Sequence, residues 1–181
     1  MTATTTPSLT GNYTIDAAHT TIGFVARHAM VTKVRGAFND FEGTAVIAPD
    51  VTDSTVSLTI QVASVDTRND QRDAHLASAD FFDAEQFGTI SFVSTNVRQD
   101  GDVFEITGDL TIKDVTRPVT VPFSYEGSAT DPFGNERVGF EGSVVVNRKD
   151  FGLTWNAALE TGGVLVSDKV TLEFEVSAIK A

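Results

Sequence analysis

The chain has 181 residues, with 13 lysines and arginines against 25 aspartates and glutamates, and its formal net charge is -12. This length predicts one domain with a sizeable core, and the acidic balance argues against binding to nucleic acid or to an anionic membrane surface. The sequence has no cysteine, which excludes disulfides, thiolate metal sites and thiol catalysis.

Candidate strands follow one another along the chain, because apolar and polar residues alternate with a period of two. Val56, Leu58 and Ile60, for example, alternate with polar neighbours. Gly36 and Gly43 lie inside the third candidate and predict bends there. In chain order the candidates span Tyr13–His19, Thr21–Arg27, Val34–Ile47, Thr55–Val65, Thr89–Gln99, Val103–Ile112, Val119–Gly127, Arg137–Val146 and Asp168–Ile179.

Three segments do not alternate. Residues 1–10 are rich in threonine and are predicted to be a disordered tail, with the domain at 11–181. Asn69–Leu76 is short and polar, and a cap by Asn69 or Asp70 predicts a helical turn. Arg148–Val166 shows no clean period and is predicted to form a helical turn and a loop. Both internal segments are long enough to cover one end of a barrel.

The alternating strands also indicate the fold class. Each strand has one apolar face, and the sequence offers almost no helix to cover it. Such a sheet buries its apolar face by closing on itself or by packing on a second sheet. The sequence therefore predicts an all-β protein that binds its partner inside the enclosure.

Few residues of the sequence are candidates for catalysis, metal binding or recognition of a polar ligand group. His28 falls on the apolar face of Ile22 and Phe24, either as a structural histidine or as a polar group at a pocket mouth. Asp73 with His75 is the one acid/base couple considered, and no nucleophile elbow, phosphate loop or dinucleotide motif is present. No metal is expected, because zinc sites usually contain a close pair of ligands, and none occurs among His19, His28 and His75.

Arg72 and His75 share one side of the predicted helical turn with Leu76. Two interpretations stay open for this side. It forms either a capped, salt-bridged surface turn or a site for the head group of a ligand. Phe81 and Phe82 follow shortly after and are predicted to anchor the segment to the core.

Several segments together resemble the YceI-like family, a group of lipocalin-like antiparallel barrels associated with polyisoprenoid binding. The most specific match is Arg72–Leu76 followed by Asp80–Asp83. The other matching segments are Tyr13–Phe24, Val34–Phe38, Phe41–Gly43, Gly108–Thr116, Gly139–Phe140 and Asn147–Gly152. The resemblance covers about Gly11–Lys180 and implies a single antiparallel β-barrel of about eight strands, with short helical turns over one end.

The resemblance further implies a binding or carrier protein, not an enzyme, for a long-chain isoprenoid lipid of the polyprenyl or isoprenoid-quinone type. The lipid would lie in the apolar interior, with no cofactor. The expected apolar wall is Ile22, Phe24, Leu58, Ile60, Phe92, Phe104, Phe140 and Phe174. The expected polar rim is His28, Arg72, Asp73, His75 and Arg148.

Two other functions stay open at this point. One is a barrel enzyme that acts on a hydrophobic substrate with Asp73 and His75 as acid and base. The other is a ligand-free structural or stress-related interaction module with a filled core. A homodimer is expected from the edge strands and the family. The sequence shows neither a signal peptide nor a membrane span, so we expect a soluble cytoplasmic chain or the mature part of an exported precursor.

Overall fold

The computed structural model describes residues 9–159 and 163–181. Eight of its strands form a closed ring of antiparallel pairs, in the order β1-β4-β5-β7-β8-β9-β10-β11 with β11 back on β1. This closure confirms the expected antiparallel barrel of about eight strands. The elements are β1 (Gly11–Ile15), β2 (Thr21–His28), β3 (Thr32–Phe38), β4 (Phe41–Ile47), β5 (Thr55–Gln61), β6 (Val65–Asp66), α1 (Asp70–Ala77), β7 (Thr89–Asp100), β8 (Val103–Ile112), β9 (Val115–Thr130), β10 (Glu136–Asn147) and β11 (Lys169–Lys180).

Three further strands extend the barrel wall beyond the eight-stranded ring. β2 continues β1 and pairs with β11, β3 precedes β4 and pairs with β2, and β6 continues β5 and pairs with β3. The predicted single strand Val34–Ile47 is therefore two strands that meet at residues 39–40. Gly36 lies inside β3 and Gly43 inside β4, each paired in register with its neighbouring strand, and the bends at these glycines stay a prediction. At the junction of β3 and β4, Gln61 N donates a hydrogen bond of 2.9 Å to Asp40 O.

The two ends of the barrel differ. The strand directions bring the tight turn 29–31, α1, the turn 113–114 and the segment 148–168, in its described parts 148–159 and 163–168, to one end, here called the helix end. Both predicted covers are therefore at the same end, as the resemblance implies. α1 is capped by Asn69, whose Oδ1 accepts a hydrogen bond from Arg72 N at 3.0 Å. The opposite end, here called the terminal end, carries the first described residue, Leu9, the last residue, Ala181, and the turns 101–102 and 131–135.

An ion-pair network lies at the terminal end, on the outer face of the barrel wall. Arg137 donates to Asp16 Oδ2 at 2.6 Å and to Asp131 Oδ2 at 2.8 Å. The hydrogen bond from Arg137 lowers the pKa of Asp16 to about 2. Burial raises the pKa of Asp131, but hydrogen bonds from Asn135 and Arg137 outweigh it and hold that pKa well below its usual range. The predicted tail falls largely on residues 1–8, which lie outside the described residues. Leu9 is already buried, and its carbonyl accepts from the Tyr13 hydroxyl at 2.8 Å.

The buried apolar side chains form two separate clusters. The larger cluster lies toward the helix end and includes Ile22, Phe38, Ile60 and Phe81. The smaller one lies toward the terminal end and consists of Leu9, Tyr13, Val97, Phe104, Val138 and Ala178. The core is therefore divided along the barrel axis.

Candidate ligand-binding cavity

A cavity of about 250 Å³ runs through the barrel between the two clusters. A single water needs only about 10–15 Å³ on this measure, so the interior has room for a much larger guest. All eight residues predicted for the apolar wall line it. Three of them, Phe24, Phe92 and Phe174, keep accessible surface although they face inward, because they border this open volume.

Glycines on neighbouring strands make room for three of the phenylalanine rings. Phe24 pairs directly with Gly36, and its ring occupies the space where a Cβ of that glycine would lie. A Cβ on Gly108 would come within 2.5 Å of Phe92 Cζ, and one on Gly142 within 2.7 Å of Phe123 Cδ1. Because the tip of each ring lies over a glycine in the wall, the ring stays close to the wall and leaves more of the barrel centre empty. The alternation places Phe123 inward as well, although it was not among the predicted wall residues.

Arg148 is the one charged side chain among the described residues that line the cavity. It is 6% exposed, and its donors reach main-chain carbonyls of the segment that it begins. Nε donates to Ser167 O at 2.8 Å, and Nη1 donates to Leu153 O at 2.6 Å and to Trp155 O at 2.9 Å. Burial lowers the pKa of Arg148 from its usual value. The guanidinium therefore holds the segment 148–168 in place and presents few donors to a ligand.

The rim residues Arg72 and Asp73 meet at Thr67 and lie outside the cavity lining. Arg72 donates to the Thr67 hydroxyl and carbonyl, both at 2.7 Å. Asp73 Oδ1 accepts from Thr67 N at 2.8 Å and from its hydroxyl at 2.6 Å. Both side chains thus fix the start of α1 to Thr67, the residue that follows β6. The couple Asp73–His75 is not brought together by a hydrogen bond, because His75 Nε2 lies 2.9 Å from Asp80 Oδ2.

His75 connects the two covers of the helix end. Its ring stands edge-on to Phe81, with centroids 5.1 Å apart, and to Trp155, with centroids 4.7 Å apart. Phe81 lines the cavity, and so does Leu76, the residue that follows His75 in α1. The sequence assigned no role to Trp155. Its contact with α1 depends on the fold of the segment 148–168, and no short-range pattern shows it.

His28 is exposed and lies beyond the cavity at the end of β2. Its backbone pairs with Val166, while Ala26, two residues earlier, lines the cavity. The structure thus gathers the predicted wall residues around one space. Of the five rim residues, only Arg148 lies on that space. Among the described residues, no helix has the length and apolar character needed to cross a bilayer.

Comparison with known proteins gives matches over nearly the whole chain. The family model described as the YceI-like domain matches residues 13–178. A UPF0312 protein of Staphylococcus aureus strain MSSA476 is 37% identical over 171 residues, which cover 92% of this chain and 95% of the relative. The crystal structure of Burkholderia cenocepacia BcnA has a TM-score of 0.79 and 26% identity, and the match covers 90% of this chain and 98% of that one.

A further fold neighbour is a polyisoprenoid binding domain from Saccharophagus degradans that is implicated in plant cell wall breakdown. Its TM-score is 0.72, and the match covers 93% of this chain and 98% of that chain. At 16% identity, this likeness shows the fold alone.

Proposed function

The chain belongs to the YceI-like domain family, and on that premise we propose that it binds a long-chain isoprenoid lipid inside the barrel and carries it without transforming it. The observation that carries this proposal is the cavity of about 250 Å³, whose lining is apolar apart from a few residues near its ends. The domain from Saccharophagus degradans shares the barrel fold and is itself a polyisoprenoid binding domain, so a barrel of this kind suits that class of ligand.

The cavity chemistry favours a hydrocarbon chain over a charged guest. Phenylalanine rings present broad and rigid apolar surface, which suits a flexible branched chain. The donors of Arg148 are taken up by main-chain carbonyls, so a phosphate deep in the cavity would find little compensation there. We therefore propose that the prenyl chain fills the cavity and that a polyprenyl or quinone head group lies near an end of the barrel.

The affinity of such a complex is reasonable in magnitude. Each buried methylene contributes about 0.8 kcal/mol, so a few isoprene units contribute on the order of 10 kcal/mol. Ordering of the chain and loss of free motion oppose binding by several kcal/mol. Micromolar affinity needs about 8 kcal/mol. Hydrocarbon burial alone therefore brings the protein close to this range.

The alternative functions have less support from the same residues. A barrel enzyme built on Asp73 and His75 would need both groups at the substrate, but they lie outside the cavity lining and bind Thr67 and Asp80 instead. A ligand-free module needs a filled core, and the cavity argues against one. The homodimer stays a prediction.

Native mass spectrometry of protein gently purified from its own host tests the proposal. We expect an added mass that matches a polyprenyl or isoprenoid-quinone lipid, and uptake of a polyprenol by delipidated protein. In Leu172→Trp, a bulky ring fills the cavity at a lining position, and we expect this variant to fold without lipid. Val145→Trp is the matched control, because Val145 lies on the neighbouring strand with its side chain exposed.

Two results would refute the proposal. One is wild-type protein that neither carries nor takes up any polyisoprenoid. The other is Leu172→Trp binding lipid as well as Val145→Trp, which would place the lipid elsewhere. Conversion of the bound lipid to a product would show catalysis and remove the carrier part of the proposal.

A further inference from the structure

Three exposed apolar side chains lie together at the helix end. Met30 is 63% exposed and Val31 is 73% exposed in the turn between β2 and β3, and Val164 is 39% exposed in the facing segment. A hydrogen bond of 2.8 Å from Ala29 N to Leu165 O joins the turn to that segment. The Met30 side chain also lies over Gly163. Met30, Val31 and Val164 therefore form one surface, here called the tip patch.

The turn that presents Met30 has an unfavourable backbone for its sequence. Ala29 and Met30 have φ angles of 50° and 64°, in the left-handed region. Asparagine and glycine are favoured at both central positions of such a turn, and neither occurs here. Local stability therefore gives no reason for an exposed methionine at this position. Backbone outliers of this kind cluster at functional sites.

The β2–β3 hairpin, which presents Met30 and Val31, has a charge opposite to that of the whole protein. Residues 17–39 contain none of the 25 acidic residues of the chain, but they contain Arg27, Lys33 and Arg35. All three are exposed, and Arg27 pairs directly across from Lys33. Like charges in this position repel each other. Within the described part of the chain, Arg35 lies 3.5 Å from a carboxylate of Glu173, whereas Arg27 and Lys33 form no ion pair.

The tip patch also adjoins the cavity. Ala26 and Val166 line the cavity and lie within a few residues of Met30 and Val164 along the same two segments. The backbone of His28 bridges to Val166 and holds these segments together. A ligand that leaves the cavity past Ala26 and Val166 would emerge beside the exposed apolar side chains.

We propose that the tip patch docks the barrel onto an anionic lipid bilayer, with Met30, Val31 and Val164 inserted and Arg27, Lys33 and Arg35 at the head groups. Apolar side chains with a basic surround bind such interfaces through hydrophobic burial and electrostatic attraction. The net charge of the chain predicts the opposite, but the hairpin that carries the three basic side chains contains no acidic residue. The purpose of docking rests on the proposed lipid carriage, whereas docking itself does not depend on it.

Co-sedimentation of the full chain with vesicles tests this proposal. We expect binding to vesicles of phosphatidylcholine with 30% phosphatidylglycerol, weaker binding in high salt, and little binding to phosphatidylcholine alone. Ala29→Asn with Met30→Gly suits the turn but removes the apolar tip, and should weaken binding at least about tenfold. Lys33→Gln should weaken it roughly fivefold, as expected for one basic side chain near an anionic surface.

Phe133→Ser provides the matched control. Phe133 is 89% exposed at the terminal end, in a turn flanked by Asp131 and Glu136, and its replacement should leave vesicle binding unchanged. Absence of binding to anionic vesicles, or an equal loss in Phe133→Ser, would overturn the proposal. Analytical ultracentrifugation gives a further test. If the wild type is a dimer and the tip variants are monomers, loss of the dimer would explain their weaker vesicle binding, and this too would overturn the proposal. Polyprenol uptake from detergent is measured separately, so a failure of docking is distinguishable from a failure of lipid binding.

Discussion

Replacement of Arg148 by methionine is expected to release the segment 148–168 from the helix end. The guanidinium holds this segment through the carbonyls of Leu153, Trp155 and Ser167, at 2.6, 2.9 and 2.8 Å. Methionine occupies a similar volume but donates no hydrogen bond, so all three carbonyls lose this partner. The carbonyl of Val166 keeps a hydrogen bond from Asn156 Nδ2 at 2.8 Å.

The size of the effect follows from these contacts. An unsatisfied buried acceptor costs about 1–3 kcal/mol, so three of them give a gross loss of roughly 3–9 kcal/mol. Removal of a buried charge offsets several kcal/mol of this loss, because desolvation already opposes burial of the guanidinium. We therefore expect the free energy of unfolding to fall by about 2–4 kcal/mol.

Urea unfolding followed by tryptophan fluorescence measures this change directly, since Trp155 is the one tryptophan of the sequence and lies in the released segment. The matched control is Lys149→Met. Lys149 is half exposed and pairs with Asp168 at 3.3 Å, so its loss should cost less than about 1 kcal/mol. Equal stability of the two variants would refute the structural role of Arg148. Unchanged stability with weaker binding of a phosphate-bearing lipid would instead make Arg148 a head-group ligand.

Three more predictions concern the wall, the covers and the terminal end. Gly36→Ala should push the Phe24 ring into the cavity, because the three atoms nearest to the added Cβ all belong to that ring. It should reduce polyprenol uptake at least about tenfold, with a stability cost of roughly 1–3 kcal/mol. Polyprenol uptake equal to that of the wild type would show that the displaced ring moves without filling the cavity, and would contradict this prediction. His75→Ala should weaken the contact between α1 and the segment 148–168, and hydrogen exchange should show faster exchange in α1. Unchanged protection would contradict this role. The lowered pKa of Asp16, about 2, adds stability that is fully present above the usual aspartate pKa and is lost as the pH falls through 2. Arg137→Met should flatten this acid-side loss in urea titrations, and an unchanged slope would exclude the pairing as its source.

The inward wall could be predicted from the sequence because it follows from a local rule. Side chains on a strand alternate between two faces, so Phe24, Phe92 and Phe174 are assigned to the apolar face by counting along each strand. All three line the cavity. The same local pattern could not show that the Phe24 ring lies over Gly36, because that contact depends on how β2 pairs with β3.

The polar rim was harder to predict for a related reason. Arg72, Asp73 and His75 stand in one short run, and their charges suggest a head-group site. In the folded chain their hydrogen-bonding atoms face Thr67 and Asp80, which the sequence does not mark as partners. Arg148 likewise binds carbonyls, and every residue has a carbonyl, so composition carries no sign of that role.

The sequence by itself determined the strands, their apolar faces and the family, because alternation and short motifs are properties of neighbouring residues. Only the tertiary structure decided whether the inward side chains fill the barrel interior or leave a cavity there. Ring closure and the glycines beneath the phenylalanines keep a cavity open between two clusters. The net charge of -12 is likewise a sum over the chain. Strand pairing brings the basic residues of β2 and β3 together at one tip, because electrostatic fields depend on where charges lie in space.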